Sequence, residues 1–94
     1  MVNLTEVRVE LSTGGLTQFT AAKQAVKDKL DEVGHTGFGE ESDIYSVRTV
    51  GGHNSGVAIE CRNQFVARQV LALMRDWAPG NVPAGRIYIP GQRG

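Results

Sequence analysis

The stretch Val7-Arg8-Val9-Glu10-Leu11 alternates apolar and charged residues with period two, and Val57-Ala58-Ile59-Glu60-Cys61-Arg62 and Arg86-Ile87-Tyr88-Ile89 do the same. This is the pattern of a strand with one face against a core and the other toward water. Three such strands imply a sheet with one covered face, so the segments between them decide what covers it.

The first strand runs over residues 4–11 and is broken by Ser12-Thr13-Gly14-Gly15. Phe19, Ala22, Val26, Leu30 and Val33 then recur at three- and four-residue steps, predicting a helix over 17–33 with Lys23, Lys27, Asp28 and Asp31 toward solvent. Gly34 supplies the left-handed residue that closes it. Residues 34–43 carry three glycines and no periodicity, so they read as a loop. A second strand spans 44–50. Burying Arg48 unpaired would be costly, which favours Tyr45 and Val47 inward. Gly51 to Gly56 make a hairpin turn into the third strand. Asn63 is suited to cap a second helix, whose stripe is Val66, Val70, Leu73 and Trp77, widened by Phe65, Leu71 and Met74. Ala78-Pro79-Gly80 ends that helix, the fourth strand follows, and residues 90–94 are expected as a loose tail.

Strand, helix, strand, strand, helix, strand is the order of the ferredoxin-like sandwich, an α+β fold with two helices on one face of a four-stranded antiparallel sheet. The layout carries fold and not activity. The 94 residues support one domain, 1–94. Ten Lys plus Arg balance ten Asp plus Glu, so the long-range field that draws proteins to nucleic acid or anionic membrane is missing. One cysteine cannot form an internal disulfide, and no long apolar run occurs, which reads as a soluble cytoplasmic protein without a membrane partner.

In this topology strands 1 and 3 are central neighbours. One register sets Glu6 across from Arg62 and Arg8 across from Glu60; on the other side of strand 1, Arg86 meets Glu10 and Tyr88 lies over Arg8. Such pairs each contribute about 0.2–1 kcal/mol. The uncovered face, Glu6, Arg8, Glu10, Glu60, Arg62, Arg86 and Tyr88, is therefore expected to be a self-neutralising lattice. RNA-binding domains of similar layout place stacking aromatics on the central strands, where this chain has Glu, Arg and Ala. Arg8, Arg48, Arg62 and Arg86 as phosphate grips would have Glu6, Glu10 and Glu60 among them. Both points argue against nucleic acid.

Other candidate sites are weaker. His35, Glu40, Glu41 and Asp43 match no metal spacing and read as an acidic, solvated loop, with no metal or cofactor expected. Phe38, between Gly37 and Gly39, either folds onto the core or anchors a partner. Cys61 shares parity with Val57 and Ile59, which puts it in the core without a base beside it. His53 in the hairpin, with Asn54 and Ser55, offers donors to a phosphate but matches no phosphate loop. Ser12, Thr13, Gly14 and Gly15 precede a helix N-terminus, where free amides attract anions. In position this Ser12-Thr13-Gly14-Gly15-Leu16 turn resembles the ligand loop of ACT-type regulatory domains, which bind amino acids in paired subunits; the resemblance covers about five residues and the element order. Acylphosphatases are similar in outline but use an arginine in this loop, and none lies between Arg8 and Arg48. No acid/base pair or activated nucleophile assembles. The expected function is a non-catalytic interaction or assembly module, pairing with itself as a homodimer or joining a larger assembly through the sheet face, an edge strand or the 34–43 loop. The alternative is a small-ligand or nucleotide regulator using the Gly14-Gly15 turn.

Overall fold

The computed structural model describes residues 4–12, 16–34, 43–51 and 55–90. Its elements are β1 (Thr5–Leu11), α1 (Leu16–Glu32), β2 (Ile44–Val50), β3 (Gly56–Cys61), α2 (Gln64–Trp77) and β4 (Ala84–Tyr88). The strands form one antiparallel sheet in the order β2-β3-β1-β4. That is the expected α+β, ferredoxin-like arrangement. Residues 91–94 of the expected tail lie outside the described residues.

The period-two residues build the core. Val7 and Val9 of β1, and Val57, Ile59 and Cys61 of β3, are fully buried on the side that α1 and α2 cover. From α1 they meet Ala22, Val26 and Leu30, and from α2 Val66, Ala67, Val70 and Met74. Burying one such aliphatic side chain contributes about 1.5–3 kcal/mol, so this layer carries most of the stability.

The helix ends follow their caps. The Asn63 side chain accepts from the Val66 N–H at 2.9 Å, and Gly34 takes φ 95° just beyond α1. Two stripe positions depart from expectation. Val33 falls past the last turn of α1 and is 44% exposed, and Phe65, in the first turn of α2, is 70% exposed. Val33 follows Glu32, the last residue of α1, and Phe65 stands beside Val66 and Ala67, which are buried, so it lies off the covered face of that turn.

β2 corrects the expected facing. A bulge between Ile44 and Ser46 makes both Tyr45 and Ser46 face the single residue Glu60, which shifts the alternation by one. Ile44 and Val47 are therefore both buried, and Tyr45 is exposed. The reason for keeping Arg48 out of the core holds, since it stands on the uncovered side.

Gly56 is held in tight contact with β1. A Cβ built there would overlap the Val9 carbonyl oxygen and lie 2.9 Å from Glu10 Cα. Backbone cannot retreat as a flexible side chain can, so Gly56→Ala should cost about 2 kcal/mol or more in urea unfolding; a loss under about 0.5 kcal/mol would show that the strands can part there.

Candidate interaction surface

Every outward position of the sheet can be read from its register. One row across the strands is Ser46, Glu60 and Glu6; the next is Arg48, Ala58, Arg8 and Tyr88; the third is Val50, Gly56 and Glu10, with Arg86 beside Glu10 at a bulge in β4. Both helices are on the other side, so no element among the described residues covers these rows. Three glutamates meet three arginines, and the surface is neutral in sum.

The expected pairing across β1 and β3 is corrected. Glu6 opposes Glu60, and Arg8 opposes Ala58. Arg62 lies past the end of β3, exposed, its N–H donating to the Asp43 carbonyl at 2.8 Å. Asn63 must cap α2, so the chain has already left the sheet at Arg62 and the register that would use it is closed.

Two like charges directly opposed on adjacent strands repel. Arg48, reaching across from β2, resolves this: its Nε donates to Glu60 Oε1 at 3.2 Å and its Nη2 to Glu6 Oε1 at 3.3 Å. Ser46 Oγ donates to Glu60 Oε1 at 2.6 Å, and Arg8 Nε to Glu6 Oε2 at 2.7 Å. Ala58 faces the uncovered side yet is fully buried, because the arginines on both sides of it are long enough to lie over it. The Arg8 side chain is itself only 16% exposed.

At the other edge the expectation holds in part. Tyr88 opposes Arg8, and Arg86 Nε lies 3.4 Å from Glu10 Oε2, an oxygen buried without a hydrogen bond of its own. The cation over the Tyr88 ring is Arg86, however, 4.3 Å from the centroid. Burial, and then the Glu10 carboxylate, raise the Tyr88 phenol above its ordinary pKa. Arg86 is the most exposed member of the set, with its side chain 71% open.

The remaining candidates separate. Ser12 N–H and Oγ both donate to the Pro83 carbonyl, at 2.7 and 3.0 Å, which ties the end of β1 to the segment leading into β4. Thr13, Gly14, Gly15, His53 and Phe38 lie outside the described residues, as do His35, Glu40 and Glu41. Beside Pro83 a groove of about 380 Å³ runs between α1 and residues 81–83, lined by Gln18, Ala21, Ala22 and Ala25 on one wall. Among the described residues no three His, Cys, Asp or Glu side chains are placed to hold a metal ion. No helix among them is long and apolar enough to cross a membrane. Cys61 is fully buried, and burial, then the charge of Asp43, push its thiol from 9.0 up to about 12. A thiol so held is protonated and unreactive at neutral pH.

Arg48 and Ser46 are the members of the lattice that the sequence reading did not place there. The available signal was that two outward glutamates on neighbouring strands need a cation, and Arg48 is the only basic residue of β2. Comparison with models of protein families, with curated proteins and with solved structures finds no match.

Removing the clamp with Arg48→Ala leaves Glu6 against Glu60. Stability should fall by about 0.5–1 kcal/mol in low salt, with the deficit shrinking toward zero near 1 M salt, and adding Glu60→Gln should recover part of it. A deficit that salt and Glu60→Gln leave unchanged would assign Arg48 a packing role instead.

Cys61 makes a separate test. Because its folded pKa is raised, its stabilising contribution is complete below the ordinary value of 9.0 and is lost as pH climbs through about 12. Between those values urea-unfolding stability should fall more steeply for the native chain than for Cys61→Ala, by up to about 1.4 kcal/mol per pH unit. Equal slopes would mean that the thiol ionises inside the fold.

Proposed function

We propose that this chain is a non-catalytic protein-interaction and assembly module whose working surface is the side of the sheet that the helices leave uncovered. One observation carries the reading: the charged groups of that face are held in place by one another across all four strands. A surface already ordered loses little side-chain entropy when a partner docks. With three cations among three anions it repels no protein of ordinary charge and offers no footprint to a polyanion. The stacked Arg86 and Tyr88 project from it, and Arg and Tyr are residue types that concentrate binding energy in interfaces.

A second reading, a small-ligand regulatory domain, is favoured by the groove between α1 and residues 81–83, which Ser12 helps to shape through Pro83. Its volume is within the range of small-molecule sites. Its walls are alanine methyls, valine, proline and two side-chain amides, which suit a short apolar group and supply no charge for a phosphate or carboxylate.

Retention of proteins from a native extract would be measured for the native chain and for Arg86→Ala/Tyr88→Ala. Both substitutions are at the surface, so the fold should melt within a few degrees of the native chain while association weakens at least tenfold. Unchanged association in the double variant would overturn the assignment of this face. Stabilisation by about 2.7 kcal/mol with an amino acid or nucleotide at 100 times its dissociation constant would replace it by the ligand reading.

A further inference from the structure

The two edges of the sheet are treated differently by the chain. β4 is five residues long, lies between Pro83 and Pro90, carries a bulge against β1, and has its Ile87 carbonyl taken by Arg75 Nε from α2 at 3.1 Å. Short length, flanking proline, a bulge and a covering side chain are the devices by which natural proteins close an edge to further pairing. β2 is seven residues long with no proline and no lysine, and has one irregularity, at its start. Its residues Tyr45, Arg48 and Thr49 are exposed.

We propose that β2 pairs antiparallel with β2 of a second copy of this chain, about a two-fold axis at Val47, to make one eight-stranded sheet. The inference rests on the reading of the chain as an assembly module and adds the strand, the partner and the register. Three observations select that register. β2 spans Ile44–Val50, so only pairing centred on Val47 overlaps all seven residues. Neighbouring registers that keep each side chain on its own face move the centre by one residue. Centring on Arg48 opposes two guanidinium groups, and centring on Ser46 sets Arg48 against the buried Ile44 at the bulge. Centring on Val47 sets Arg48 opposite Ser46 of the other copy, whose hydroxyl holds Glu60. Arg48 is half exposed while clamping Glu6 and Glu60 of its own chain, so its open side faces a carboxylate across the new seam. The charge lattice then runs unbroken from one copy into the next, with the same pairing twice, as a two-fold interface requires.

Sedimentation of the full chain over a wide concentration range should show a monomer–dimer equilibrium, and Tyr45→Lys/Thr49→Lys should weaken the dimer at least tenfold with the melting temperature little changed. A nitroxide on Thr49→Cys reads the register, since Cys61 is buried and stays unlabelled. Four residues of strand separate the two labelled sites, so their Cα atoms should lie about 14 Å apart, close enough for dipolar broadening that dilution removes. A dimer that survives the edge lysines but is lost in Arg86→Ala/Tyr88→Ala overturns edge pairing and leaves the face reading standing. A monomer at every concentration overturns edge pairing, and together with no partner retained from extract it removes the module reading as well. Broadening absent from a confirmed dimer overturns the register.

Discussion

Gly56 brings β3 so close to β1 that no side chain fits between it and the Val9 carbonyl, and that contact sets the register of the two central strands. On the covered side the register brings Val7 to Ile59 and Val9 to Val57, all fully buried. On the uncovered side it brings Glu6 to Glu60. Aliphatic burial contributes about 1.5–3 kcal/mol per residue, whereas a like-charge pair across strands costs about 0.2–1 kcal/mol. Core burial in this register outweighs the repulsion, and the open face has to accommodate two opposed carboxylates.

That accommodation explains the rest of the surface. The cation that separates the two glutamates comes from neither of their strands but from β2, and Ser46 of the same strand adds a hydrogen bond to Glu60. Arg8 and Arg48 flank Ala58 in the register, and its small side chain leaves them room. Small residues in the middle of the sheet and long charged ones beside them form one device. It leaves the face neutral and ordered without a covering layer from the described residues.

Much of this is legible in the sequence, and what is not has physical causes. Strand and helix periods, the cap at Asn63 and the stop at Gly34 are local signals, and each appears in the structure. The outward pairing of Arg86 with Glu10 is legible because both residues keep their parity in spite of the bulge. Three features depend on tertiary context instead. The bulge in β2 adds one residue that no turn residue announces, and it exposes Tyr45. A slip of two residues between β1 and β3 preserves every inward and outward assignment, so alternation cannot distinguish Glu6 opposite Arg62 from Glu6 opposite Glu60. The capping of α2 distinguishes them by drawing Arg62 off the sheet. Val33 lies past the end of α1, and Phe65 stands off the covered face beside the buried Val66 and Ala67, and periodicity does not fix where a stripe ends or how wide it is.

On the proposed reading, the pairing that satisfies the charges within the chain also lowers the cost of association. An isolated carboxylate taken into an interface must be stripped of water and matched anew. Glu6 and Glu60 already exchange water for Arg8, Arg48 and Ser46 in the single chain, so a docking surface meets groups whose desolvation is partly complete. The least satisfied elements are then at the margins: the half-open Arg48 on β2, and the exposed Arg86 over Tyr88 on β4. On the proposed reading the centre is a neutral platform, and these two margins are where a second protein would be held.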